Sequence, residues 1–203
     1  LVLFGDGAGA VVLEATDEAI GVLGYELNND PDGRDILKAG FGTAMDRFDA
    51  SSLDFYIEFN GQEIFKRAIA GMGKLSTKVI EKCGIDKEEI DWVIPHQANE
   101  RIIDTLISRM KIPKEKAVVN IANYGNTSAA TIPIAICDAL EQGKIQPNQT
   151  ILSCAFGAGL TSAAALIKWG DRVTPINSSN AELPPCDKTG IELVAKAVKH
   201  FCG

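Results

Sequence analysis

The stretch that most constrains the fold of this chain runs from Asp91 to Arg101. Its apolar residues stop at Pro95 and a helical pattern begins after Asn99, which predicts a buried strand, a short turn and a helix. The turn carries His96. In an open α/β sheet, loops at the carboxyl ends of the strands converge on a crevice. His96 is therefore the first candidate for proton transfer or for polarising a carbonyl group.

Helical and strand patterns alternate on both sides of this stretch. Apolar residues recur at helical spacing over 63–83, 100–110 and 128–141. Apolar runs predict strands over 1–4, 11–13, 20–28, 117–121, 150–155 and 160–169. This order predicts an α/β fold with a largely parallel or mixed sheet and helices on both faces. Residues 30–54 are rich in Gly and Asp and predict a long surface loop.

Residues 5–10 match the G-x-G-x-x-A spacing of a dinucleotide-binding turn, and Asp30 follows at a suitable distance. A true fingerprint opens a helix, whereas the apolar residues 11–13 continue as a strand pattern. We therefore interpret residues 5–10 as a tight glycine turn between two buried strands and not as a nucleotide site.

The cysteine and histidine content argues against a disulfide framework and a metal site. The five cysteines are odd in number, widely spaced and without a C-x-x-C pair, a pattern that suits a reducing compartment. The two histidines, His96 and His200, lie far apart in the sequence, so no cluster of metal ligands is predicted.

The charge pattern bears on possible partners. A net charge of −7 makes a nucleic-acid partner unexpected, and no apolar run approaches the roughly 20 residues of a membrane helix, so a cytoplasmic location is expected. Residues 58–116 nevertheless hold 11 Lys and Arg against 10 Asp and Glu, a net +1 in an acidic chain. This zone suggests an anionic ligand or partner, although solvated helix faces would give the same imbalance.

Three loops are expected at the carboxyl ends of successive strands, and they contain His96, Asn126 and the turn Phe156–Gly159. In a parallel sheet these ends share one edge, so the loops can line one pocket. A neutral imidazole N–H beside a carboxamide NH₂ offers two donors to a developing oxyanion, and a glycine-rich turn offers backbone N–H groups. Each loop also has an ordinary structural interpretation, but together they favour carbonyl chemistry.

Five motifs follow one another along the chain. They are Gly5-Asp-Gly-Ala-Gly-Ala10, Phe59-Asn-Gly-Gln-Glu-Ile-Phe65, Pro95-His-Gln-Ala-Asn-Glu-Arg-Ile102, Tyr124-Gly-Asn-Thr-Ser-Ala-Ala130 and Ala155-Phe-Gly-Ala-Gly159. In this order they resemble β-ketoacyl-acyl-carrier-protein synthase III, the condensing enzyme that initiates bacterial fatty acid synthesis. The resemblance covers residues 1 to about 169 and implies a thiolase-like fold. It assigns residues 1–56 to the end of an N-terminal half and a connecting loop, 57–169 to the C-terminal half, and 170–203 to a linker and an appended helix.

The resemblance implies a decarboxylative Claisen condensation of an acyl-coenzyme A with malonyl-acyl carrier protein, without a cofactor. A cysteine would take the acyl group, and the malonyl thioester would lose CO₂ to give the attacking enolate. By motif position, His96 and Asn126 would bind the thioester oxygen as the enolate forms. The backbone N–H of Ala158 would contribute to a second oxyanion hole.

The resemblance also implies two binding surfaces on a homodimer that has neither a nucleic-acid nor a membrane partner. Coenzyme A and the carrier protein's phosphopantetheine would contact Gly61, Phe65, Ala98, Asn99, Phe156 and Gly157. The acidic carrier protein would contact Lys66, Gln97, Arg101 and Arg109.

One departure from the family concerns the nucleophile. Cys83, Cys137 and Cys154 lie in positions typical of packing residues, and none matches the nucleophilic cysteine. We therefore expect a C-terminal portion whose missing N-terminal half supplies that cysteine. Two alternatives remain: a non-catalytic piece that binds carrier protein or coenzyme A, and a related condensing enzyme of secondary metabolism.

Overall fold

A computed structural model of the chain describes residues 3–39 and 57–175, together with isolated residues between 177 and 195. The end of the predicted loop over 30–54 and most of the predicted C-terminal helix over 189–201 lie outside the described residues.

The described residues form six strands and four α-helices. The strands are β1 (Gly21–Asn29), β2 (Leu37–Ala39), β3 (Ile57–Phe59), β4 (Trp92–Pro95), β5 (Thr150–Gly157) and β6 (Thr161–Lys168). The helices are α1 (Gly61–Cys83), α2 (Glu100–Met110), α3 (Ile121–Tyr124) and α4 (Thr131–Glu141). All three predicted helices and the strands predicted over 20–28, 150–155 and 160–169 are confirmed within a few residues.

Four strands form a mixed sheet in the order β1-β6-β5-β4. Strands β4 and β5 are parallel, and β6 is antiparallel to both of its neighbours. Three strands therefore point in one direction, which agrees with the predicted largely parallel or mixed sheet. Strands β2 and β3 pair separately as a two-stranded antiparallel ribbon.

Helices cover both faces of this sheet, as predicted. Helices α1 and α2 pack on one face in a cluster that includes Val93, and α4 packs on the other face in a cluster that includes Ile94. Neighbouring residues of a strand point to opposite faces, and both of these side chains are fully buried. Burial on both faces explains why β4 has a continuous apolar sequence.

Capping residues set the ends of the two helices that flank β4. The side chain of Asn60 accepts a hydrogen bond from the N–H of Glu63 at 3.2 Å, and Gly84 ends α1 in the left-handed conformation with φ 64°. Asn99 caps α2 by accepting from the N–H of Arg101 at 2.9 Å. The helix starting at Glu100 is thus fixed directly behind the turn that carries His96.

The strand predicted over 117–121 is wrong. Ala117 forms one isolated parallel bridge with Val93, and the chain then turns into α3. The N–H of Asn120 donates to the side-chain oxygen of Gln97 at 3.0 Å. Since this backbone donor is used by a side chain, it cannot continue a ladder along β4.

The strand predicted over 11–13 is also wrong, and the first half of the strand predicted over 1–4 lies outside the described residues. Phe4 makes only an isolated bridge to Asn126, and residues 5–16 form no regular element. The side chain of Val12 is 94% exposed. A strand needs a neighbour to pair its backbone groups, and no described residue pairs with residues 11–13. Among the described residues, every helix is too short or too polar to span a bilayer.

Candidate active site

His96 follows the last residue of β4, and the parallel neighbour β5 fixes its backbone. Its N–H donates to the carbonyl of Cys154 at 2.8 Å, which extends the hydrogen bonding of β4 with β5 by one residue. The ring of Phe156, near the end of β5, meets the imidazole edge to face with centroids 5.6 Å apart. The predicted meeting of the His96 loop and the Phe156 turn at one sheet edge is therefore observed.

The environment of His96 favours a neutral ring. Burial lowers its pKa from the ordinary 6.5 to about 4. Its Nδ1 lies 2.6 Å from the hydroxyl oxygen of Thr131, the first residue of α4. A neutral imidazole has one N–H donor and one acceptor nitrogen. Because Nδ1 faces Thr131, the ring can donate to an oxyanion only when Nε2 carries the proton.

Asn126 reaches the site through α3 and Gly125 rather than through a strand. Its side-chain oxygen accepts a hydrogen bond from the N–H of Ser128 at 2.9 Å. A backbone N–H can only donate, so this contact fixes the carboxamide orientation and leaves the NH₂ group as the outward donor. The backbone carbonyl of Asn126 accepts from the N–H of Gly5 at 2.9 Å.

A chain of hydrogen bonds joins these two predicted residues. Ser128 donates from its N–H to the side chain of Asn126 and accepts from the hydroxyl of Thr131 at 2.9 Å. Thr131 in turn contacts His96. The start of α4 thus brings the imidazole and the carboxamide to one site, although they are thirty residues apart in the sequence.

A buried polar network that sequence reasoning missed lies behind this site. The side chains of Asn120 and Tyr124 both donate to the carboxylate of Asp138, at 2.9 and 2.8 Å. This bond to Asp138 raises the pKa of Tyr124. Asp138 is only 8% exposed although α4 is otherwise small and apolar around it, and that isolated acid was the available sequence signal. The network ties α3, which precedes Asn126, to α4.

Gln97 belongs to the same network, so its predicted contact with carrier protein is wrong. It is 1% exposed, and its amide nitrogen donates to the carbonyls of Pro95 and Val118 at 2.8 and 3.1 Å. Its oxygen accepts from Asn120. All of these bonds are internal, and they connect the turn of His96 to the segment that leads to α3.

The glycine motif near the N-terminus packs against the loop that carries Asn126, and is not a turn between two strands. A Cβ on Gly5 would lie 2.1 Å from the carbonyl oxygen of Tyr124. A Cβ on Gly7 would lie 2.9 Å from the side chain of Thr127, and one on Gly9 would lie 2.4 Å from Pro133. Glycine therefore permits this close approach.

The turn between β5 and β6 follows Gly157, the last residue of β5, and contains the exposed residue Ala158. The carbonyl of Ala158 accepts a hydrogen bond from Thr161 at 3.4 Å. One residue, Gly157, separates the turn from Phe156, which contacts His96. Participation of the Ala158 N–H in an oxyanion hole stays a prediction.

The amino-terminal turns of α1 and α2 lie side by side. The guanidinium of Arg101 sits over the ring of Phe65 at 5.9 Å from its centroid. This contact brings together the helix starts that contain Gly61 and Asn99, with half-buried Ala98 directly before Asn99. These residues are therefore grouped at one surface, as the binding prediction requires.

Two further predicted carrier-protein residues are exposed. Lys66 forms an ion pair with Glu63 at 2.9 Å, one turn into α1. Arg109 is exposed near the end of α2, about 12 Å along the helix axis from Arg101. The three predicted contact cations, Lys66, Arg101 and Arg109, are therefore spread over the exposed surface of α1 and α2.

The described cysteines do not resemble nucleophiles. Burial raises the pKa of the Cys154 thiol to about 12, Cys83 is half-buried beside β1, and Cys137 is exposed midway along α4. Within residues 3–39 and 57–175, no three His, Cys, Asp or Glu side chains are placed to hold a metal ion.

Two family models match the chain. The 3-oxoacyl-[acyl-carrier-protein] synthase III C-terminal model matches residues 80–169, and the 3-oxoacyl-[acyl-carrier-protein] synthase III model matches residues 1–31. The two matches include His96, Asn126 and the glycine motif of residues 5–10.

Curated relatives carry the same family name. The chain is 56% identical to β-ketoacyl-[acyl-carrier-protein] synthase III 2 of Vibrio cholerae over 200 residues, which cover 98% of this chain and 55% of that protein. It is 43% identical to the synthase III of Geobacillus kaustophilus over 169 residues, which cover 83% of this chain and 50% of that protein. The first alignment must extend through most of residues 170–203, so this segment has a counterpart in the V. cholerae protein.

Solved structures have the same fold. The 3-oxoacyl-[acyl-carrier-protein] synthase III of Aquifex aeolicus matches with a TM-score of 0.74 and 42% identity over 83% of this chain and 51% of that one. The Pseudomonas aeruginosa enzyme matches with a TM-score of 0.76 and 32% identity over 85% of this chain and 52% of that one. The chain spans about half the length of the relatives it matches, and it belongs to the 3-oxoacyl-[acyl-carrier-protein] synthase III family.

Proposed function

We propose that this chain is the C-terminal catalytic portion of a β-ketoacyl-acyl-carrier-protein synthase III, which condenses an acyl-coenzyme A with malonyl-acyl carrier protein. The observation that carries the proposal is the hydrogen-bonded chain from His96 through Thr131 and Ser128 to Asn126. It holds an imidazole and a carboxamide together at the edge of the sheet. The names of the relatives support the same activity.

The chemistry assigned to this pair is stabilisation of an enolate. When the malonyl thioester loses CO₂, negative charge develops on the thioester oxygen. The NH₂ group of Asn126 and an N–H of His96 would donate to that oxygen, and both groups are neutral when they do so. The enolate carbon would then attack an acyl-cysteine, releasing the β-ketoacyl thioester and returning the sulfur to the enzyme.

The nucleophilic cysteine is assigned to a segment outside this chain. Cys154 cannot act, since its thiol is buried and has a raised pKa. The proposal therefore includes an N-terminal half, and by resemblance to the family a cytoplasmic homodimer. The binding roles proposed for Gly61, Phe65 and Asn99 would place coenzyme A and phosphopantetheine at the starts of α1 and α2.

The test is malonyl-coenzyme A decarboxylation by the complete synthase that carries this sequence. We expect His96→Ala and Asn126→Ala each to slow decarboxylation by on the order of 10²-fold, as loss of an oxyanion donor does in other enzymes. Acyl transfer from acyl-coenzyme A to the cysteine should persist in both variants, because it does not form this enolate.

Asn123→Ala is the matched control, because Asn123 is exposed in α3, three residues before Asn126. It should decarboxylate at close to the normal rate. Near-normal rates in both His96→Ala and Asn126→Ala would remove the enolate role from this site.

A second candidate is a non-catalytic piece that binds coenzyme A or carrier protein. The described cysteines favour it for the chain alone, since the buried Cys154 thiol has a raised pKa and neither Cys83 nor Cys137 matches the nucleophile of the family. Mass spectrometry after incubation with acetyl-coenzyme A separates the two candidates. Acylation of the complete protein on a cysteine outside these 203 residues supports the enzyme, whereas binding without acylation supports the second candidate.

A further inference from the structure

We infer that Thr131 is a positioning residue that sets which ring nitrogen of His96 carries the proton, so that His96 becomes an enolate donor only when the Thr131 hydroxyl turns toward it. This inference rests on the proposed function, because it concerns the same thioester oxygen. Thr131 lies outside the five sequence motifs and is not itself one of the proposed oxyanion donors.

The geometry places one hydroxyl between two partners. Thr131 is 2% exposed at the first position of α4. Its oxygen lies 2.6 Å from Nδ1 of His96 and 2.9 Å from the carbonyl oxygen of Ser128. The hydroxyl has a single proton and can donate it to only one of these two atoms at a time.

The two possible arrangements give His96 different chemistry. If Nδ1 carries the ring proton, it donates to Thr131, and Thr131 donates to Ser128, so both short contacts are hydrogen bonds. Nε2 is then a bare acceptor. If Nε2 carries the proton, Thr131 donates to Nδ1, and the carbonyl of Ser128 loses this donor. Only the second arrangement gives His96 an N–H for the enolate oxygen.

The free site favours the first arrangement, because unpaired polar groups inside a protein are costly and this arrangement pairs both contacts. A thioester oxygen beside Nε2 favours the second. The change moves no net charge: one proton leaves Nδ1, one is taken up at Nε2 from water, and the hydroxyl rotates. Ser128 also orients Asn126 through its N–H, so one residue adjoins both enolate donors.

The first measurement is the ring tautomer in the complete synthase labelled with ¹⁵N-histidine, since the shifts of the two ring nitrogens report which one is protonated. The His96 signals are identified by their loss in His96→Gln. We expect the ligand-free enzyme and Thr131→Ser to carry the proton on Nδ1. In Thr131→Val, which has a similar shape but no hydroxyl, the proton should no longer be confined to Nδ1.

The second measurement is the kinetics of malonyl-coenzyme A decarboxylation. Thr131→Val should raise kcat by up to about tenfold with little change in KM, because without the hydroxyl the ring no longer gives up a hydrogen bond when it takes the donor tautomer. Thr131→Ser should stay within about threefold of normal. Both variants should bind coenzyme A as the normal enzyme does.

Three results would overturn the inference: a proton on Nε2 in the ligand-free enzyme, a tautomer unchanged by Thr131→Val, or a kcat in that variant that is unchanged or lowered. If His96→Ala and Asn126→Ala are impaired but Thr131→Val is normal, only the tautomer role fails. If all three variants decarboxylate normally, the proposed function fails as well.

Discussion

At the scale of single residues, the surroundings of the His96 side chain determine its protonation state. The ring is enclosed by Phe156 and the buried start of α4, and this desolvation lowers its pKa to about 4. A charged imidazolium in this place would have no carboxylate in contact with the ring among the described residues. The site therefore keeps its donor neutral over the physiological pH range.

This pKa predicts how stability changes with pH. The unfolded chain has an ordinary histidine with a pKa near 6.5, so between about 6.5 and 4 it binds more protons than the folded state. The free energy of unfolding contributed by His96 should therefore fall by about 3 kcal/mol as the pH drops through this window. Denaturant unfolding of the complete synthase at pH 7 and pH 4, compared with His96→Gln, measures this contribution. An identical pH dependence in the two proteins would contradict the buried, neutral assignment.

At the scale of elements, three segments depend on one carboxylate. Asp138 on α4 accepts from Asn120 and Tyr124, and Asn120 is bonded to Gln97 beside His96. The turn of His96, the approach to Asn126 and the helix behind both are thus one hydrogen-bonded unit. Gln97, Asn120 and Asp138 are buried, so these polar groups have little access to water as an alternative partner, and this makes the unit rigid.

Asp138→Asn tests this unit. The amide would place an NH₂ group against one of two donors, so we expect a loss of about 1–3 kcal/mol in the free energy of unfolding and slower decarboxylation. Asp104→Asn is the matched control, because Asp104 is half-buried on α2 and its side chain pairs with that of the exposed Lys114 at the surface. Denaturant titration and the decarboxylation assay give both readouts. Equal behaviour of the two variants would show that the network does not support the site.

At the scale of the whole molecule, the locally basic zone is not simply a free cationic patch. Lys66 is paired with Glu63, and Lys78 and Lys82 both bind Glu26, so much of its charge is used internally. Arg101 and Arg109 have no ion pair with any residue in the described part of the chain. Arg101 lies nearest the helix starts where phosphopantetheine is proposed to enter.

Arg101→Glu should therefore weaken use of malonyl-acyl carrier protein while sparing acyl transfer from coenzyme A. An acidic partner would meet a repulsive charge at the proposed entrance, and KM for the carrier substrate should rise about tenfold or more. Lys87→Glu makes the same charge change before the first residue of β4, at the other end of that strand, and should have little effect. Equal losses with coenzyme A and carrier substrates would contradict the docking role.

Much of the architecture could be predicted from local pattern alone. Helical periodicity with Asn99 and Gly84 as caps gave α2 and the end of α1, because such signals act within a few residues. The strand predictions that were wrong depend on pairing with residues far away in the sequence. Residues 117–121 have an apolar pattern, but the side chain of Gln97 uses the backbone donor that a strand requires. Residues 11–13 have a strand sequence without a described neighbour to pair with.

The sequence by itself determined which residues could do carbonyl chemistry, because His96, Asn126 and the Phe156–Gly159 turn stand in short motifs that local patterns place at loops. Only the tertiary structure decided how they are held. Thr131 looks like an ordinary helix residue in the sequence, Asp138 stands out only as an isolated acid in an apolar helix, and Gln97 looks like an exposed loop residue. Their roles arise from hydrogen bonds between segments far apart in the chain, and only packing of α4 against the sheet brings those groups within bonding distance.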